Sequence, residues 1–96
     1  MQADYDSTAN AISITVAATE RADHSDEVHA RAIVAVVDKR PVEVQLLYPD
    51  LGISEPLAAV ADRYDLDYEA LAAAAQSALA APDRVISLEV ASRSAA

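Results

Sequence analysis

The chain has no cysteine, no tryptophan and no phenylalanine, and only one glycine and one methionine among its 96 residues. Without cysteine there is no disulfide, no thiolate nucleophile and no Cys-ligated zinc, and the redox compartment is left open. A single glycine, Gly52, cannot build a glycine-rich phosphate loop or a dinucleotide fingerprint, and no nucleophile elbow is present. Bases are scarce as well: seven Lys and Arg stand against 16 Asp and Glu, for a net charge of −9. Such a charge favours solubility and repels phosphate backbones and anionic membrane surfaces, so basic or neutral partners fit better. No apolar run approaches the roughly 20 residues of a membrane-spanning helix. The opening Met1-Gln2-Ala3-Asp4-Tyr5-Asp6 has neither the basic nor the apolar region of an export signal. The expectation is a soluble, unexported, cytoplasmic protein.

What the chain does have is aliphatic, with 23 Ile, Leu and Val residues and 23 alanines. Each of the larger aliphatics contributes about 1.5–3 kcal/mol when fully buried, enough together for one core. The length fits a single domain, residues 1–96. With so much alanine the core is short of bulk, and its larger fillers are Leu, Ile and the four tyrosines. Thin packing of this kind favours cover from a partner.

Taken in order, residues 11–17 alternate Ile12, Ile14 and Val16 with Ser13 and Thr15, the pattern of a half-buried strand. The polar residues 19–27 read as a loop. A second strand is expected over 28–37, and its Ala32-Ile33-Val34-Ala35-Val36-Val37 is apolar on both parities. Alternate residues of a strand face opposite sides, so this one should lie at the centre of a sheet with material on both faces. Asp38-Lys39-Arg40-Pro41 reads as a turn, and 42–48 as a third strand whose Val42, Val44, Leu46 and Tyr48 share a face. Ser54-Glu55-Pro56-Leu57 then has the form of a helix start, with Ser54 as cap, and Leu57, Val60, Ala61 and Tyr64 form its apolar stripe. Asp67 can cap a second helix with Leu71, Ala74, Ala75, Ala78 and Leu79 inward, and Pro82 stops it. A fourth strand follows with Ile86, Leu88 and Val90 toward the core, at an edge of the sheet. Residues 1–4 and 92–96 read as loose ends.

The stretch Tyr5-Asp6-Ser7-Thr8-Ala9-Asn10-Ala11-Ile12-Ser13-Ile14 resembles the opening of a family of small bacterial domains of unknown function, Tyr-Asp-Pro-Glu-Ala-Asp-Ala-Leu-Tyr-Ile. Val36-Val37-Asp38 and Val42-Glu43-Val44-Gln45-Leu46-Leu47 are similar to that family's later Val-rich strand, Asp-rich turn and final strand. The likeness covers about residues 4–50. It departs at Ser7, where the family has Pro, and at Lys39-Arg40-Pro41, where it has an Asp-Gly turn. The resemblance implies a β-meander with no established activity; association with toxin–antitoxin-like gene pairs is suspected for such domains.

Candidate sites are few. His24 and His29 stand among Asp23, Asp26 and Glu27, a set of metal-ligand types, but on a continuous strand residues five apart face opposite sides, so the ordinary reading is a solvated polar segment. Asp65, Asp67 and Glu69 begin like a calcium loop, yet Ala70 and Gln76 stand where the loop needs Gly and Glu, which excludes it. The helix pair has the outline of a helix-turn-helix, but its second helix starts with Asp67 and Glu69 and only Arg63 is basic nearby, which argues against direct nucleic-acid binding. Nothing among the sixteen acids singles out a pair for acid–base catalysis, and no cofactor is implied. Residues 70–82 contain no charge at all. Alanine tolerates water on a helix, but an acidic protein ordinarily places charges on a solvated face, which favours a helix covered on two sides.

These readings converge on an α+β fold: a three-stranded antiparallel meander over 4–50, a helical hairpin over 53–81, and a last edge strand over 84–92. The leading functional expectation is a non-enzymatic, homodimeric interaction module, adaptor or antitoxin-like, holding a basic or neutral protein partner. Its contact surface would be the second sheet face or the alanine helix, with Ala73 and Ala80 as candidates and Val34, Val36, Leu71 and Leu79 structural. Two alternatives belong to other classes. A small enzyme or ligand-binding protein would line a pocket between sheet and helices with His29, Tyr48, Tyr64 and Tyr68; a DNA-associated regulator would use the helix pair.

Overall fold

Strands form where period-two alternation places them, and at two further places where polar composition hides it. The computed structural model describes residues 1–17 and 22–88. In chain order these form β1 (Gln2–Asp6), β2 (Ala11–Thr15), β3 (His24–His29), β4 (Ala32–Val37), β5 (Arg40–Leu47), a 3-10 turn (Pro49–Leu51), α1 (Ser54–Tyr64), α2 (Tyr68–Ala80) and β6 (Val85–Ser87). All neighbouring strands are antiparallel in one sheet of order β3-β4-β5-β2-β1-β6. The fold is α+β. No helix among the described residues is long and apolar enough to cross a membrane.

The expected meander is replaced by a different order. The strand over 11–15 pairs with β5 and not with β4, so β3, β4 and β5 are the consecutive hairpins and β2 lies beside the last of them. That is a Greek-key arrangement, closed by the long connection from β2 to β3. Residues 2–4, expected to be loose, belong to β1, which pairs Ala3 with Ile14 of β2 and Ile86 of β6. Their polar composition conceals a strand whose inward side chains are Ala3, fully buried, and Tyr5, partly buried against the core. Residues 24–27, expected in a loop, are the polar part of the edge strand β3; the rest of that loop falls partly on residues 18–21, outside those described. The expected strand over 28–37 is two strands, reversed at Ala30-Arg31 after a register shift between Glu27 and His29. At the other end, β6 does form a sheet edge; Val90 and residues 92–96 lie outside the described residues.

A chain with one glycine must find other residues for its left-handed turns, and Asn and Asp, whose short side chains tolerate that region, fill most of them. Asn10, Asp38, Asp65 and Asp83 all have positive φ, joined by Lys39 and Tyr48. Asp38 at φ 49° and Lys39 at φ 66° make the β4–β5 connection a two-residue turn of the I′ kind. The turn is therefore shorter than the four residues expected, and Arg40 and Pro41 already belong to β5. Pro41 is accommodated at the register shift between Ala35 and Val36. In the β1–β2 turn Asp6 Oδ1 accepts from the backbone N–H groups of Thr8 and Ala9, at 3.0 and 3.1 Å.

The helices cover one face only. On that face Ala3, Ile12, Ile14, Ala32, Val34, Val36, Val44 and Leu46 meet Leu57, Val60 and Ala61 of α1 and Leu71, Ala74, Ala75 and Ala78 of α2. α1 lies over β3, β4 and β5 and α2 over β1, β2 and β6. Ala74, Ala75 and Ala78 have no exposed surface, so this alanine face seats the helix directly on the strands. Ser54 is the first residue of α1 and not its cap; the capping position is Ile53, which makes no side-chain bond. Asp67 does cap α2, accepting from the Glu69 N–H at 3.1 Å. No polar or charged residue is buried among the described residues.

Among the described residues no helix lies on the opposite face of the sheet. Ile33, Ala35, Val37 and Leu47 lie there, partly exposed, with Ser13, Thr15 and Gln45, while Glu43 is exposed. Among the described residues, the cover expected on both faces of 32–37 is therefore found on one.

Candidate functional site

At one corner the helix side of the sheet is left open between β3, the β4–β5 turn and the end of α1. His24 and Asp26 of β3, Val36 of β4, Lys39 of the turn, and Arg63 and Tyr64 of α1 line a depression of about 520 Å³. Strand parity accounts for the β3 and β4 contributions: His24 pairs with Val36 and Asp26 with Val34, so all four point to the helix side. Arg63 occupies the last turn of α1, where a cation is favoured by the helix dipole.

Asp26 ties these elements together. Its Oδ2 accepts from Arg63 Nε and from the Tyr64 hydroxyl, each at 2.6 Å. The Tyr64 hydrogen bond foremost, and the Arg63 guanidinium beside it, hold the Asp26 carboxyl below its ordinary pKa. Partial burial pushes the Tyr64 hydroxyl up, and its bond to Asp26 adds to that. Arg63 is itself held charged by Asp26. With Asp26 ionised and Tyr64 protonated, the corner is an anchored ion pair to which the phenol also donates.

A second polar latch holds the far end of the sheet. Asp83 accepts from the Ser7 backbone N–H at 2.9 Å and the Ser7 hydroxyl at 2.7 Å, which lowers its pKa, and its own N–H donates to the Tyr5 carbonyl at 2.7 Å. A third is Arg31, whose Nη1 donates to the carbonyls of Tyr48 at 3.0 Å and Gly52 at 2.8 Å, tying the β3–β4 turn to the loop before α1.

The residues singled out from the sequence are dispersed. The register shift in β3 puts His24 and His29 on the same side, yet about 15 Å apart at strand spacing. His24 enters the depression, whereas His29 Nε2 lies 3.3 Å from Glu55 Oε1 and its Nδ1 accepts from the Arg31 N–H at 3.0 Å. No group of three or more potential metal ligands is clustered among the described residues. Of the four expected pocket residues, Tyr64 lines the depression; Tyr48 is 53% exposed beside the 3-10 turn, Tyr68 opens α2, and His29 is placed as above. Ala73 and Ala80 are exposed on the outer side of α2, with Gln76 between them. Lys39, and the joining of Asp26 to Arg63 and Tyr64, were not singled out in advance. Asp26 is 37 residues from Arg63, and only the fold brings them together.

No family model, no curated protein and no solved structure matches the chain.

Proposed function

We propose that this chain is a non-enzymatic interaction module that works as a symmetric homodimer, two copies meeting through the helix-free face of the sheet. The observation that carries the reading is the row Ile33, Ala35 and Val37 on β4 with Leu47 on β5, left partly exposed on a face that no described helix covers. A solvated antiparallel face ordinarily alternates to polar residues. Here β4 does not. The outer side of α2 is the weaker candidate, because Ala73 and Ala80 each offer little more than one methyl group, about 0.8 kcal/mol on burial, against about 1.5–3 kcal/mol for a fully buried Ile or Leu.

Charge is compatible with a two-fold arrangement. Arg40 and Glu43 lie on the same face, opposite Val37 and Ala35, so each copy can set its Arg40 against the other's Glu43. A dimer formed this way leaves the acidic outer surfaces free for a basic or neutral protein partner. An adaptor or antitoxin-like role follows from that arrangement and from the resemblance of residues 4–50 to small bacterial β-meander domains.

Light scattering across a dilution series tests the proposal. The expected result is twice the chain mass for the native protein and the chain mass for Ile33→Lys, with helix content unchanged. A native protein that is monomeric at every concentration overturns it.

A further inference from the structure

The geometry points to the corner depression as a binding site for a small organic carboxylate, an inference that goes beyond the dimer and does not rest on it. Among the described residues the bases are Arg31, Lys39, Arg40, Arg63 and Arg84. Two of these five, with His24, surround one depression, although the chain as a whole carries −9. Asp26 takes the Nε of Arg63 at 2.6 Å and the Tyr64 hydroxyl lies beside the same guanidinium, while the side chain, with its two terminal nitrogens, is 60% exposed. Those terminal nitrogens form the fork that matches a carboxylate with two parallel hydrogen bonds. Lys39 adds a second cation from the tip of the β4–β5 turn.

The charge count selects the ligand. Asp26 offsets one of the two permanent cations, Arg63 and Lys39, leaving about one positive charge between them. That matches a monoanion better than a phosphate dianion, which ordinarily recruits a helix N-terminus or a nest of backbone N–H groups. The remainder of the ligand would be apolar. Val36 borders the depression but is buried, so a flat hydrocarbon group would rest on the partly exposed side chain of Tyr64. A volume of about 520 Å³ accommodates such a molecule, and the openness of the corner to solvent keeps the affinity low.

The test is a titration of the ¹⁵N-labelled full chain, followed by amide chemical shifts, with benzoate, its neutral counterpart benzamide, and inorganic phosphate. Benzoate is expected to give saturable shifts at His24, Val36, Lys39, Arg63 and Tyr64 with a dissociation constant of roughly 1–10 mM, and benzamide none. Arg63→Gln should weaken benzoate about tenfold or more. Lys39→Gln, an exposed turn substitution that leaves the Asp26 anchor intact, should weaken it roughly threefold. Equal shifts from benzamide, shifts confined to other residues, or affinities unmoved by both substitutions overturn the site. Saturation by phosphate without benzoate overturns the carboxylate assignment.

Discussion

Val34 and Ile33 are adjacent in the chain and occupy opposite faces of the same strand, so truncating each to alanine separates the core from the proposed interface. Val34 has 0% exposure and lies in the helix-covered cluster. Val34→Ala removes two carbons, about 1.6 kcal/mol of transfer energy at ~0.8 kcal/mol each. A residual cavity of about 50 Å³ adds about 1.2 kcal/mol at ~24 cal/mol per Å³. The sum, about 2–3 kcal/mol, is a large part of the roughly 5–14 kcal/mol available to a domain of this length. Ile33 is already partly exposed, so in an isolated chain Ile33→Ala should cost only about 1 kcal/mol, although it removes one carbon more. The assay is urea unfolding at two protein concentrations a hundredfold apart. For a folded dimer the native stability falls by about 2.7 kcal/mol on that dilution, or roughly 1–2 M in midpoint at a typical slope. Val34→Ala should lower both curves equally and keep their separation. Ile33→Ala should cost more at the higher concentration than at the lower, because only there is its side chain fully covered. Equal losses for the two variants at the lower concentration would refute the assignment of faces, and a native curve independent of concentration would refute the interface.

Three further outcomes follow from local geometry. Lys39 sits at φ 66° in the β4–β5 turn, where a side chain costs about 1–2 kcal/mol. After the entropy that glycine returns to the unfolded chain, Lys39→Gly should stabilise by about 0.5–1 kcal/mol in thermal melts, while weakening benzoate binding. Gly52 has φ 110° and ψ 143°, and a Cβ built there meets no atom within 4 Å. Gly52→Ala should therefore lose about 1–3 kcal/mol through backbone strain alone, read by the same melts. Asp26 has its carboxyl pKa lowered from 3.8, so the stability it contributes is complete above that value and is lost as pH falls through the lower native one. The difference between native protein and Asp26→Asn in urea unfolding should hold from neutral pH down to about pH 4 and close below it; a gap that stays constant to pH 2.5 would contradict the anchoring role.

The parts of the fold legible in the sequence are those whose signal is local. α1 and α2 follow from two apolar stripes and the Asp67 cap; of the stripe residues Leu57, Val60, Ala61, Leu71, Ala74, Ala75 and Ala78 are buried, Tyr64 and Leu79 only partly, and Pro56 is buried outside the stripe. β2, β4 and β5 follow from aliphatic content and alternation. What escaped has a physical cause in each case. β1 buries a single alanine fully, and β3 is an edge strand with a polar composition, so neither carries the apolar rhythm that marks a strand. Strand order was out of reach because the alternation of β2 does not distinguish β4 from β5 as its partner; the structure pairs it with β5. The apolar double parity of 32–37, expected to mark the centre of the sheet, marks an interior strand next to the edge strand β3, and it says nothing about whether the second face is filled from the same chain.

The corner depression shows why the candidate site was the least legible part. Each of its residues has an ordinary local explanation: Arg63 complements the end of α1, Lys39 decorates a turn, and Asp26 and His24 read as solvated polar residues of a loop. Their meeting depends on β3 being a strand, because only then do His24 and Asp26 share a side, and on β3 being the edge that α1 overlies. Once 24–29 is a strand, parity alone carries Asp26 to the helix side. There the last turn of α1 presents Arg63 and Tyr64 to the same carboxylate oxygen. A single local misreading, strand as loop, was therefore enough to hide the site, and the histidine pair drew notice in its place because its residue types are rarer than aspartate and arginine in an acidic chain.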